Sequence, residues 1–269
     1  MPSACAAWRP WPPRLTDKID AWVLAELGRR DLVPEIWLPT PSVREERELA
    51  RFRLHLVHHR ASLKNRIHAS LIAFGHSVPV SDLFGVRGRA LLDGLDLPEA
   101  WRAGVDAGLR LIDELDGEVA RIEAALKARG IEHAYLPLLR TLPGVGLILG
   151  FTIASEIGDI GRFASPKKLV GYTGLSPQVY QSGERDRRGS LAKNGPAPLR
   201  WALIEASTGA CRHPAFAARY QRTKRRLGRQ RGSSIARVEL ARELATVIWH
   251  MLTKNQPFRP AGPAWHLVA

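Results

Sequence analysis

The chain has 269 residues, 45% of them hydrophobic, which suits a soluble globular protein, and no apolar run reaches the roughly 18 residues that a membrane helix needs. A formal net charge of +14 implies a polyanionic partner, because each Lys or Arg that neutralises a phosphate releases a counterion. Cys5 and Cys211 lack metal-ligand spacing, and Trp8, Trp11 and several prolines interrupt what a secretion signal would need as an apolar core. These features point to a reducing, cytoplasmic setting without structural zinc.

Met1 to Pro13 is rich in Trp and Pro and has no periodicity. From Leu15 the pattern changes to a helix, with Thr16 or Asp17 as N-cap and Ile19, Trp22, Val23 and Leu27 on one face. Asp17 and Asp20 stand three apart and so project side by side. Two carboxylates so placed can hold Mg²⁺, or can simply complement the helix dipole in its first turn. Asp31 to Pro39 reads as a short strand and loop, and Ser42-Val43-Arg44-Glu45 as a capping box.

A long basic helix follows, with Leu49, Phe52, Leu56, Leu63, Ile67 and Leu71 on its apolar face. Arg47, Arg51, Arg53, Arg60, Lys64 and Arg66 fall largely elsewhere. His55, His58 and His59 lack carboxylate partners at metal-ligand spacing and read as surface or RNA-facing residues. Phe74 to Trp101 is punctuated by Gly and Pro and reads as loop. Ala103 to Arg129 returns to a helical period through Val105, Leu109, Ile112, Leu115, Val119, Ile122 and Leu126, the seam of a helical hairpin or coiled coil.

Leu142-Pro143-Gly144-Val145-Gly146 has the spacing of a helix-hairpin-helix turn, whose glycine amides can meet a DNA phosphate. Gly144, Gly146 and Gly150 also approximate a dinucleotide fingerprint, but Leu138-Leu139-Arg140 continues a helix where that fingerprint requires a strand. Further on, Trp201-Ala-Leu-Ile204 continues as a core helix, and Tyr220 to Arg231 forms a cationic run that includes Lys224, Arg225 and Arg226. Ser233 to Leu252 reads as a last buried helix, and Pro257 to Ala269 as a loose tail.

Between Glu156 and Arg200, several short motifs occur in one order. They are Glu156-Ile-Gly-Asp159, Arg162-Phe163, Lys168-Leu-Val-Gly-Tyr-Thr-Gly-Leu-Ser-Pro177, Gln181-Ser182-Gly183, Arg188-Gly-Ser190-Leu-Ala-Lys193-Asn-Gly195 and Leu199-Arg200. Together they resemble the C-terminal domain of the Piv-related insertion-sequence transposases, also called bridge recombinases. The resemblance extends from Leu15 to about Phe258. It implies DNA transposition by cleavage and rejoining of phosphodiesters, with a serine nucleophile that matches Ser182. Ser190 is the competing hydroxyl, and Arg185, Arg187, Arg188 and Lys193 would balance charge on the phosphate.

Thr16-Asp17-Lys18-Ile19-Asp20-Ala21 similarly resembles the end of that family's RNase-H-like domain, in which an Asp-Glu-Asp-Asp tetrad binds metal. Asp17 and Asp20 match the last two members, and too few residues precede them to hold the first two. The expectation is therefore a chain that begins inside the catalytic domain, with Met1 to Pro13 arising from a truncated or frameshifted start. Arg60 to His68, with Lys64 and Arg66, resembles the family's helical extension that contacts guide RNA and partner subunits.

The expected fold is mainly α. It comprises the end of an RNase-H-like domain (1–41), a helical or coiled-coil region (42–135), a helical transposase domain with the helix-hairpin-helix (136–258) and a tail (259–269). The expected function is that of a Mg²⁺-dependent transposase. A decayed protein that only binds nucleic acid is the alternative. By the resemblance its partners are double-stranded DNA, a structured guide RNA and further copies of itself in a dimer or tetramer at the nucleoid. Gly144, Gly146, Arg185, Arg187, Arg188, Lys193, Arg200, Lys224, Arg225, Arg226, Lys64 and Arg66 are its nucleic-acid candidates.

Overall fold

The computed structural model describes residues 16–33, 36–76, 78–182 and 185–260, without the side chains of 182–188. The Trp/Pro-rich stretch to Pro13 and the tail from residue 261 lie outside the described residues. The chain divides into two compact units, Met1–Leu38 and Pro39–Ala269. Among the described residues it is mainly helical, with a single two-stranded sheet.

The first unit holds α1 (Asp17–Arg29). Thr16 is its N-cap, its hydroxyl accepting from the Ile19 amide at 3.4 Å. The helix has no buried residue, and Trp22 on its apolar face is 67% exposed. Glu26 brackets its last turn, accepting from Arg29 at 2.7 Å and Arg30 at 2.7 Å. These two guanidiniums, Arg29 first, hold the Glu26 carboxyl at about 2, well below its ordinary range. The strand expected in Asp31 to Pro39 is not formed by the described residues of that stretch.

In the second unit, α2 (Pro41–Ala73) and α4 (Glu99–Ile131) pack on each other as a long helical hairpin. Thr40, not Ser42, is the N-cap of α2, and the expected capping box does not form. Pro41 takes the first helical position, where its fixed φ suits the helix and its missing N–H leaves no donor unpaired. Phe52, expected on the apolar face, is 47% exposed, whereas Ala50, Leu54, Leu56, Ile67 and Leu71 are buried.

The expected loop from Phe74 to Trp101 contains α3 (Val86–Asp93), and α4 starts before Trp101. Gly88 serves packing here: a Cβ on it would lie 2.2 Å from the Leu83 carbonyl oxygen. Leu83, Leu92 and Leu97 join Ile67, Leu71, Val105, Leu109 and Ile112 in a small core at this end of the hairpin.

The main core gathers α5 (Leu136–Leu139), α6 (Leu147–Ile157), α7 (Pro166–Tyr172), α8 (Ala197–Ala210) and α9 (Pro214–Lys254) around Phe151, Ile153, Leu203, Phe216 and Ile248. Helix α6 is buried from Gly150 to Ile157, and the polar members of that stretch, Thr152, Ser155 and Glu156, are hydrogen-bonded there. Between α7 and α8 runs a β-hairpin, β1 (Pro177–Ser182) and β2 (Arg185–Leu191), in a stretch expected to belong to a helical domain.

Helix α9 folds back on itself at Gly228, whose φ of 77° lies in the left-handed region. Thr223 donates to Glu239 at 2.8 Å, and the Tyr220 and Ser233 hydroxyls meet at 3.1 Å. A straight helix would hold these pairs about 24 and 20 Å apart. Gly232 permits the close return, since a Cβ there would sit 2.4 Å from the Lys224 carbonyl oxygen. Beyond α9 the tail is not loose at its start: the Phe258 ring stacks on Phe216 at 5.6 Å, and its amide donates to Thr141 at 2.9 Å.

Candidate nucleic-acid interface

Ser182 ends β1, and its backbone pairs with that of Arg185, so Gln181 and Ser182 of the motif lie at the tip end of a ribbon, while Gly183 lies outside the described residues. The side chains of Ser182, Arg185, Arg187 and Arg188 lie outside the described residues; their backbone sits in the two strands. The register steps by two residues on β1 (Pro177 to Val179) and by three on β2 (Arg188 to Leu191), which places a bulge at Gly189-Ser190. Ser190 therefore belongs to the base of the ribbon. At the usual strand rise the two candidate serines are separated by about 13 Å along it.

The base is clamped by backbone. Ala192 N–H donates to Ser176 at 2.8 Å and Lys193 N–H to Gly174 at 3.1 Å. Gly195 lies so close to Tyr172 that a Cβ would come within 1.7 Å of its carbonyl oxygen. Arg200 reaches into the same corner, donating to the carbonyls of Thr173 at 3.4 Å and Gly195 at 3.3 Å. Its guanidinium thus holds the loop that carries the ribbon, with its chain half-buried. Lys193 is exposed with φ 55° at the outer side of this corner. Along the ribbon the extensive packing is between its own strands, and Val179 and Tyr180 are 50% and 60% exposed.

The cationic run expected between Tyr220 and Arg231 becomes the elbow of α9. Arg222, Lys224, Arg225, Arg226, Arg229 and Arg231 are all exposed there. Arg226 is 3.6 Å from Glu239 on the returning arm. Sequence reading found the charges; the elbow follows from Gly228 and Gly232, whose tertiary role had no local signal.

In the turn before α6, Gly144 has φ 83° and presses against α8, where a Cβ would lie 2.1 Å from the Ala206 carbonyl oxygen. Gly146 is the N-cap of α6, exposed, with open space where a Cβ would be. The first glycine is therefore required by helix packing and the second sits at an exposed helix start. On α2, Lys64 lies 4.7 Å over the Phe84 ring, while Arg66 is exposed beside Trp101. Asp17 and Asp20 are exposed in the first turn of α1, and no group of three or more His, Cys, Asp or Glu among the described residues is arranged to hold a metal.

Two features were invisible in the sequence. Glu156, in the first of the ordered motifs, is fully buried and receives Arg51 through Nε at 2.7 Å and Nη2 at 2.9 Å. That carboxylate, above all other groups, raises the Arg51 pKa. Arg47 donates to the carbonyls of Ser155 and Glu156, both at 2.8 Å, so two basic residues of α2 lock the end of α6. Arg162 lies over the adjacent rings of Phe163 and Tyr172, at 4.2 and 4.3 Å from their centroids, and Trp249 donates to the Phe163 carbonyl at 2.8 Å.

The described residues form a helical body with an exposed cationic elbow and a two-stranded ribbon, and the comparisons place the chain among transposases. Residues 136–221 match the model of the transposase IS116/IS110/IS902 family, and residues 14–74 match a second transposase model, that of the DEDD type. The chain belongs to the IS110/IS116/IS902 transposase family.

It is 26% identical over 258 residues to the transposase for insertion sequence element IS1111A of Coxiella burnetii, covering 90% of this chain and 68% of that one. The Sinorhizobium fredii protein y4qE, named for a transposase, is 28% identical over 259 residues, 87% of this chain and 64% of its own. The pilin gene-inverting protein of Moraxella bovis is 33% identical over 128 residues, 45% of this chain and 38% of its own. The chain spans about two thirds of the length of the first two relatives. No helix among the described residues is long and apolar enough to cross a membrane.

Proposed function

We propose that the chain acts in DNA transposition, with Ser182 as the nucleophile that cleaves a phosphodiester and holds the strand as a serine ester until rejoining. The observation that carries this reading is the ribbon: a serine at the tip of a two-stranded hairpin whose returning strand brings Arg185, Arg187 and Arg188 and whose base is clamped by Gly195 and Arg200. A serine hydroxyl is a weak nucleophile, and a dense positive field lowers the cost of its alkoxide and balances the charge of the pentavalent phosphate. Ser190, about 13 Å back along the ribbon, lies at its bulged base rather than its tip.

Asp17 and Asp20 suit Mg²⁺ as a half-site: the ion takes one or two protein carboxylates and completes its octahedron with phosphate and water. Bound there, it would neutralise phosphate charge. The α9 elbow, with Lys224, Arg225 and Arg226, contacts the DNA backbone, as do Lys193 and the turn of Gly144 and Gly146. Lys64 and Arg66 face a structured RNA, and the working form is a homo-oligomer.

The test is covalent trapping on the cognate element ends, with Mg²⁺ and RNA transcribed beside the gene. An adduct that is lost in Ser182→Ala and kept in Ser190→Ala supports the assignment. The reverse pattern moves the nucleophile to Ser190. Salt-sensitive binding without adduct, on a substrate that a longer relative cleaves, means a binding-only protein.

A further inference from the structure

On the exposed face of α2, His55 and His59 stand one turn apart with their Nε2 atoms 3.0 Å from each other and their rings edge to face at a centroid distance of 4.3 Å. Side chains four apart on a helix share a face, so the pair is fixed by the backbone and not by chance approach of two loops. A 3.0 Å separation of two nitrogens is also the bite of a chelate. With metal–imidazole bonds of about 2.0–2.1 Å, it corresponds to an N–metal–N angle of about 94°. That is near the right angle that square-planar and octahedral ions prefer, and somewhat tight for a tetrahedral one.

The surroundings also permit a cation. Arg51, one turn before His55, is engaged by Glu156, and Arg60, next to His59, is ion-paired with Asp116. The positive charges of these two neighbours are thus compensated. His55 and His59 are exposed, so an ion can enter from water and keep solvent ligands at its remaining positions. Phe52 stacks on the outer side of His55 at 6.4 Å and restricts that ring.

We infer that His55 and His59 form a two-point chelate for a late first-row divalent ion, Ni²⁺, Cu²⁺ or Zn²⁺, separate from any carboxylate site for Mg²⁺. Imidazole selects these ions over Mg²⁺, which requires oxygen ligands. Both rings bind as neutral imidazoles through the Nε2 lone pair with the proton on Nδ1. The ring that donates the Nε2–Nε2 hydrogen bond passes that proton to water and takes one up at Nδ1, so no net charge is lost. Within the pair only two positions of the ion are filled, which makes the site an exchangeable anchor rather than a structural centre.

The test uses the tag-free full chain in isothermal titration with NiCl₂ in the presence of excess Mg²⁺. The wild type is expected to bind one Ni²⁺ that excess Mg²⁺ does not displace. His55→Ala and His59→Ala should each weaken binding at least about tenfold, with His58→Ala, the adjacent exposed imidazole, leaving it within about twofold. Because the chelate forms only on the folded helix, saturating Ni²⁺ should raise the melting temperature of wild type and His58→Ala but not of His55→Ala or His59→Ala. Equal Ni²⁺ affinity in His55→Ala, His59→Ala and wild type overturns the proposal, as does the absence of saturable binding in wild type. Neither result bears on the transposase reading, which concerns other residues.

Discussion

Arg51→Leu isolates the buried ion pair that ties α2 to α6. Removing one partner from a fully buried pair costs about 3–5 kcal/mol, because the other charge is left without compensation. Glu156 has 0% exposure, but the Arg51 side chain is 45% exposed and Arg47 Nε remains 3.9 Å from Glu156 Oε2, so the charge is partly screened and partly compensated and about 2 kcal/mol is expected. Arg47 still donates to the Ser155 and Glu156 carbonyls, so α6 stays docked and the variant folds. At this chain length the loss corresponds to a fall of about 4–8 °C in melting temperature. The assay is thermal and urea unfolding of a double-mutant cycle with Glu156→Gln. In the Gln background no charge is stranded, and Arg51→Leu should cost about 1 kcal/mol or less, leaving a coupling of about 1 kcal/mol or more. Equal costs of Arg51→Leu in the two backgrounds would refute the reasoning.

Gly144→Ala should destabilise by more than about 2 kcal/mol, since it combines a left-handed φ with a clash against α8, while Gly146→Ala should cost less than about 1 kcal/mol in the same denaturation assay. The Glu26 carboxyl should titrate near 2 by ¹³C-detected NMR. Its folded value is depressed, so its bracket with Arg29 and Arg30 contributes fully above the ordinary range near 4.5 and is lost as pH falls towards about 2. A Glu26 resonance that titrates in the ordinary range would mean that the bracket does not hold in solution. Trp249→Phe keeps an aromatic ring, though a smaller one, and deletes the donor to the Phe163 carbonyl, and a loss of about 1–2 kcal/mol from the lost hydrogen bond and packing is expected from chemical denaturation. Charge-reducing changes at Lys224 and Arg225 should lower the salt slope of DNA binding by about 1 per contact removed, with no change in melting temperature.

The heptad-like seam of α4 was legible because Val105, Leu109, Ile112, Leu115, Val119, Ile122 and Leu126 repeat at helical spacing, and all are buried except Leu115, which is partly buried. The loop-rich connection expected after Phe74 is present on either side of α3, which was missed for a physical reason: Gly85 and Gly88 punctuate a chain on paper, yet Gly88 is there to let α3 approach the Leu83 backbone. The same holds at Gly232, where close approach of two helix arms looks no different in sequence from any helix-weakening glycine.

By itself the sequence determined the family, through motifs in a fixed order, and the excess of positive charge. It also determined the long amphipathic helices, whose period of 3.6 is a local property. Tertiary structure decided where those motifs sit. It put Gln181 and Ser182 at the tip end of a ribbon, because strand pairing joins residues that no local period connects. It also separated Ser182 from Ser190, since strand pairing puts Ser182 opposite Arg185 at one end of the ribbon and Ser190 next to the Pro177–Leu191 pair at the other. And it made Glu156 a buried partner of Arg51, 105 residues away, a contact that depends on how α2 and α6 pack and on nothing either segment carries alone.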